Sequence, residues 1–309
     1  ATVGWTPSSD IVNALEPVQP PTQKALFAFG NAAGGVTNVS NLVNSSGVVA
    51  TDTTGVGTAR RHLSAASYGG DKAIFAFGYS TGDTNLSNLV SSSGVVATDT
   101  TGVGTARGYL VGAGYGDDKA IFAYGVNGGV QSMSNLVSSS GVVAADTTGV
   151  GTARQGAGAA RYGSTGQAIV AFGNTGGSTY VNTRNLISNT GVVASDLSGV
   201  GTARGYTNLG TAYGGDKAII AYGYTGSNSN ISNLISNTGV VGSDVSGVGT
   251  ARESPAATNY GGDKAIYAYG AGPTAVSNLV SSSGVVAADV TGVGTARTGP
   301  AAAGYSFSA

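Results

Sequence analysis

Cysteine is absent from this chain, histidine, tryptophan and methionine occur once each, and only 9% of the 309 residues are charged. Without cysteine there is no disulfide, no thiolate nucleophile and no cysteine-ligated metal. The lone His62 excludes a histidine metal cluster, and any Ser/His/Asp triad would have to use His62 itself. Net charge is −1 with the basic residues scattered, so the electrostatic footprint of nucleic acid or an anionic membrane is missing and neither is an expected partner. No apolar run is long enough to span a bilayer, and Ala1 is not followed by the basic and apolar segments of a secretion signal, the pattern expected of a mature chain.

What is present is glycine, serine, threonine, asparagine and alanine, with 41% hydrophobic residues, enough for a packed core rather than a flexible linker. One phrase returns six times. In its second copy it runs from Ser87-Asn88-Leu89-Val90 through Gly94-Val95-Val96 to Asp99-Thr100-Thr101-Gly102 and Gly104-Thr105-Ala106-Arg107. The closing arginines, Arg60, Arg107, Arg154, Arg204, Arg252 and Arg297, stand 45 to 50 residues apart, so the chain is one supersecondary unit repeated.

In residues 61–107, the segment 63–68, the turn Gly69-Gly70-Asp71-Lys72 and the run 73–77 read as a hairpin of strands A and B, because glycine supplies the positive φ of tight turns. Segments 86–91 and 95–98 flank Ser92-Ser93-Gly94 and read as strands C and D. Four short strands per unit without helical periodicity imply an all-β fold, a six-bladed β-propeller of four-stranded antiparallel blades. The expected blades are 23–60 plus 298–309, then 61–107, 108–154, 155–204, 205–252 and 253–297. The chain reaches its first unit at strand B and ends on a segment resembling strand A, so the C-terminal strand is expected to complete the N-terminal blade and close the ring without exposed edges. Residues 1–22 form an N-terminal arm, with a short capped apolar pattern and three prolines at 17, 20 and 21, for which two readings stand: docking on a larger assembly with Trp5 as anchor, or packing on the disc.

The unit resembles the kelch-type repeat: an apolar strand ending in glycine (Ile74-Phe75-Ala76-Phe77-Gly78), a third strand, and a fourth ending near an arginine such as Arg107. It departs from it in carrying mostly a single glycine and no outer-strand tryptophan. With one histidine and no cysteine, the copper-radical chemistry of some kelch-fold oxidases has no ligands here. The repeat is also similar to Gly/Ser/Thr-rich propeller arrays of marine bacteriophage proteins, which implies a virion-structural or host-recognition role and a virion or extracellular location, with the arm meeting other virion components.

The aspartates Asp52, Asp99, Asp146, Asp196, Asp244 and Asp289 precede Thr-Thr-Gly or a variant, similar to the Asp-box turn of sialidase-type propellers, and are read as caps of their own turns. The six arginines are read as structural, bonded to carbonyls between blades. No metal and no cofactor is implied. The A–B and C–D turns barely change between repeats, whereas the B–C loops and the residues after each arginine do, and these emerge on one face of the disc. His62, Tyr79, Tyr109, Tyr180, Arg184, Tyr206 and Tyr224 are the binding candidates there, among small polar residues suited to protein or glycan. The expected function is a non-enzymatic structural or recognition propeller. The alternatives are a soluble glycan-binding lectin and a hydrolase or lyase using Asp83 or Glu253 at the channel mouth.

Overall fold

The computed structural model describes residues 23–306; the arm at 1–22, with its docking role and Trp5, lies outside them. Repeat 2 sets the pattern. Ser64–Tyr68 pairs antiparallel with Lys72–Ala76, which pairs antiparallel with Ser87–Val90. Four further sheets repeat this inner, middle and outer order, with inner strands Val111–Tyr115, Gly158–Tyr162, Thr211–Tyr213 and Ala256–Tyr260. In the sixth, Lys24–Ala32 pairs with Gly35–Val43 on one edge and with Ala301–Tyr305 on the other, Lys24 opposite Tyr305 and Ala28 opposite Ala301. The C-terminal strand therefore supplies the inner strand that the first repeat lacks. The described residues contain no helix, and five three-stranded sheets, with a sixth that adds the short edge strand Arg297–Thr298 to the same inner, middle and outer set, fit a six-bladed, propeller-like arrangement.

The fourth strand of each repeat is not a regular strand. Val90 bridges Val96 and Ser87 bridges Thr100, so three steps along the outer strand face four along the D segment. That one-residue bulge leaves two isolated bridges instead of a ladder. The Val-Val-Ala pattern has strand propensity, but its register does not match.

Each inner strand lies against the inner strands of two other sheets. Ser64–Tyr68 touches Ala301–Tyr305 and Val111–Tyr115, the succession runs on through Gly158–Tyr162, Thr211–Tyr213 and Ala256–Tyr260, and the last lies against Ala301–Tyr305. All six line an axial cavity of about 310 Å³. The apolar core lies in the layers between sheets; Ile74, Phe77 and Tyr68 of repeat 2 pack on Leu110, Ala120 and Phe122 of repeat 3. Both faces of a sheet are thus buried, which is why the middle strands read as unbroken apolar runs.

The repeated polar residues are the seams. Arg107 is fully buried and does not reach the axial cavity. Its guanidinium covers the Phe77 ring of its own repeat at 4.4 Å and donates to Tyr124 O (2.8 Å) and Asn135 Oδ1 (2.7 Å) of the next. Arg297 joins repeat 6 to repeat 1 in the same manner, over Tyr269 at 3.9 Å and to Asn41 Oδ1 at 2.7 Å. The aspartates do not cap their own turns. Asp99 accepts from the backbone N–H and hydroxyl of Thr58, 41 residues earlier, and from Asn88 Nδ2 beside it. Asp52 reaches Thr295 in the same way. An aspartate before Thr-Gly suits either bond locally; the neighbouring sheet decides by presenting two donors that need an acceptor.

A third seam was not read from the sequence. Each inner strand ends in tyrosine, and the ring of Tyr68 lies on the C–D turn of repeat 3, where a Cβ on Gly141 would stand 2.9 Å from it. Tyr305 lies likewise on Gly94, and Tyr260 on Gly47. Along the A–B turns the backbone adds a set of bonds from sheet to sheet: Gly69 N to Asp118 O, Gly116 to Gly166, Gly163 to Asp216, Gly214 to Asp263, Gly261 to Gln23, and Ser306 to Asp71. Gln23 and Ser306 divide between them the role that one turn plays elsewhere.

These seams carry a pH dependence. Burial pushes the Asp99 carboxyl up, but the bonds from Thr58 and Asn88 and the Arg60 charge outweigh it, so its pKa lies below the ordinary 3.8. The other five aspartates are lowered by the same set of partners. A carboxyl with a lower pKa folded than unfolded stabilises the fold above the unfolded value and loses that contribution as pH falls through the folded one. Burial shifts Asp83 and Glu253 the other way, two groups against the six at the seams. Urea midpoints are expected to hold down to about pH 5 and to fall below about pH 4, with Asp99→Asn weaker at neutral pH and shallower in acid. Parallel pH curves for the two proteins would remove the carboxylates as the cause.

Candidate functional site

Two residues after each closing arginine the backbone turns to positive φ, at His62 (52°), Tyr109 (51°), Gly156 (57°), Tyr206 (53°), Ser254 (54°) and Gly299 (57°). Left-handed backbone costs a non-glycine residue energy, so its recurrence at four non-glycine residues among six equivalent positions needs a common cause. The cause is a chain of bonds around the axis on the face opposite the A–B turns. His62 N donates to Gly299 O (3.0 Å), Tyr109 N to His62 O (2.8 Å), Gly156 N to Tyr109 O (2.9 Å), Thr207 N to Gly156 O (3.2 Å), Ser254 N to Tyr206 O (2.7 Å) and Gly299 N to Ser254 O (3.2 Å). The side chains most altered between repeats are thereby carried to the centre of one face.

There they form an aromatic cluster. The His62 ring stacks on Tyr109 with centroids 3.8 Å apart, Tyr109 meets Tyr206 edge to face at 5.7 Å, and Tyr180 meets Tyr224 at 5.9 Å. Room for the imidazole comes from Gly299, where a Cβ would stand 2.6 Å from His62 Nδ1. A depression of about 470 Å³ opens among His62, Tyr109, Tyr206, Tyr224, Glu253 and Thr298. Burial, with the nearby Arg61 charge, takes the His62 pKa down to about 3, so the imidazole is neutral. Burial raises the Tyr109 and Tyr206 phenols, keeping them neutral as well. Among the described residues Glu253 is the one carboxylate lining the depression; burial raises its pKa.

Of the sequence candidates, His62, Tyr109, Tyr206 and Tyr224 line this depression, and Tyr180 supports Tyr224. Tyr79 and Arg184 do not join them. Tyr79 pairs with Arg61, whose guanidinium lies 5.5 Å from its ring. Arg184 opens an outer strand and donates to Ser198 O in its own repeat. Glu253, considered in the sequence only for hydrolysis, belongs to the aromatic cluster, and Asp83 is not among the lining residues. The signal for Glu253 was its place directly after an arginine, on the same varying segment as Arg61-His62 and Gly108-Tyr109. The described residues hold no group of three histidine, aspartate or glutamate side chains placed for a metal. Set against known proteins, the chain matches no family model and no curated protein.

Proposed function

We propose that the chain is a non-enzymatic recognition module, a closed six-bladed propeller whose bulged D segments are degenerate fourth strands, built to present one asymmetric face to a protein or glycan on a virion or other extracellular assembly. Closure is supported by the bonds joining repeats 1 and 6 and by the inner strand that Ala301–Tyr305 adds to Lys24–Ala28. The recognition reading rests on one observation: the residues that differ most between repeats converge on a single depression rich in tyrosine. Tyrosine offers a large rigid contact area and a polar tip at low entropic cost, which suits binding. Two-carboxylate hydrolysis needs a pair flanking the scissile bond, whereas among the described residues this depression is lined by a single carboxylate, Glu253.

The experiment is a glycan array together with binding to intact cell surfaces. The double variant Tyr109→Ala/Tyr206→Ala is expected to lose at least about tenfold in affinity, since central aromatic anchors carry most of such binding energy. Its melting curve controls for folding. Unchanged binding by a folded double variant removes the face from the function.

A further inference from the structure

Every other carboxylate on the described residues, Asp83 apart, has a partner that explains it. The six seam aspartates accept from threonine and asparagine. Asp71, Asp118, Asp216 and Asp263 pair with the adjacent lysines, and Asp117 pairs with Arg161. Glu253 has neither a side-chain hydrogen bond nor an ion pair among the described residues. Its backbone alone is engaged, accepting from Ala271 N at 2.8 Å. The carboxylate is nonetheless held in a depression walled by Tyr109, Tyr206 and Tyr224. A partly desolvated anion without a counter-charge is unfavourable, and a neutral ligand leaves it so. A cation corrects it, and tyrosine rings attract the same charge through their quadrupoles.

We propose that this depression is a seat for an alkylammonium cation, a quaternary or methylated ammonium group held by Tyr206, Tyr224 and Tyr109 with Glu253 as its counter-ion. The inference rests on the recognition reading above and specifies the chemistry of its ligand. The other titratable groups around Glu253 do not oppose it. Tyr109, Tyr180 and Tyr206 are neutral phenols and His62 a neutral imidazole. Arg61, the cation whose field reaches His62 and Tyr109, is drawn aside over Tyr79 and does not line the depression. Three tyrosines line the depression beside this one carboxylate, and aromatic surface next to an anion suits an ammonium that carries methyl groups.

The test titrates the full chain with choline, with free trimethyllysine, and with 3,3-dimethylbutan-1-ol, the uncharged isostere of choline, following the tyrosine ring signals by NMR. Saturable binding of a cation is expected, with the isostere at least about tenfold weaker and Glu253→Gln weakening choline by about tenfold, equal to 1.4 kcal/mol. Glu253→Gln keeps the shape of the side chain and leaves its backbone bond intact, so an unchanged melting temperature is expected. Because the carboxyl must be ionised and its pKa is raised, affinity should fall on acidification sooner than for an exposed glutamate. Choline against trimethyllysine separates a small-molecule or lipid headgroup from a modified protein side chain as the source. Equal affinity for the isostere, no saturable cation binding, or a Glu253→Gln protein that binds choline unchanged would each overturn the cation seat. If those failures accompany tyrosine-dependent binding to an array or cell-surface ligand, the recognition reading stands and only the cation falls.

Discussion

Arg107→Ala is expected to lower the unfolding free energy by about 3–5 kcal/mol, the range for removing one member of a buried charged network. The loss has several parts. Tyr124 O, Thr105 O and Asn135 Oδ1 all accept from this guanidinium, at 2.8, 3.0 and 2.7 Å, and none of these acceptors gains another donor in the variant. The Phe77 ring loses the planar cation that covers it, and Asp146, 3.9 Å away, loses its nearest positive charge. Burial lowers the guanidinium pKa only to about 10, so the charge is present at neutral pH. Arg107→Lys should recover little, because an ammonium cannot reach three divergent acceptors and stack at once. Lys119→Ala, which breaks an exposed pair with Asp118, should be indistinguishable from the parent. Urea unfolding of the three variants checks this; an Arg107→Ala midpoint equal to the parent would mean that the seam is held by apolar packing alone.

A repetitive sequence of this kind discloses its period and local turns more readily than its contacts between repeats. The period, the A–B hairpin and the complementary ends of the chain are local or arithmetic signals, and the structure carries each of them: Ser64–Tyr68 with Lys72–Ala76, and Ala301–Tyr305 beside Lys24–Ala28. Partners across repeats are another matter. Asp99 stands before Thr-Thr-Gly, and nothing in those residues distinguishes its own turn from Thr58 in the preceding repeat; only the packing of two sheets does. Asn88 was invisible for the same reason, although it joins Arg60 to Asp99 from the centre of the seam. The D segment misled because strand propensity says nothing of register. At the candidate site, the changing residues identified the face, but their position within the blade decided the outcome. Residues two after an arginine converge on the axis, while Arg184, at the start of an outer strand, stays with its own repeat.

The largest effect is expected from the C-terminal strand. A chain ending at Thr298 should lose the cooperative unfolding transition, and a peptide of residues 299–309 added in trans should restore it. Ala301, Ala302, Ala303 and Tyr305 are all buried, and their removal exposes Leu26 and Phe27 of the strand they cover. Gone with them are the bonds of Gly299 to His62 and Ser254, the bond from Ser306 to Asp71, and the Tyr305 ring on Gly94. The summed loss is on the order of 5–10 kcal/mol, comparable with the whole stability of a domain. The experiment discriminates architecture as well as energy. In an open array a terminal deletion removes one nearest-neighbour interface, and the remaining repeats fold as before. Ala301–Tyr305 lies against the inner strands of both repeats 2 and 6, so in a closed ring its loss opens two interfaces at once and removes the support of His62. Near-parental cooperativity in the truncated chain, by circular dichroism and limited proteolysis, would favour the open array and refute closure. A collapse rescued by the peptide, with the His62–Tyr109 stack restored in its NMR spectrum, would tie the geometry of the candidate site to the closing strand.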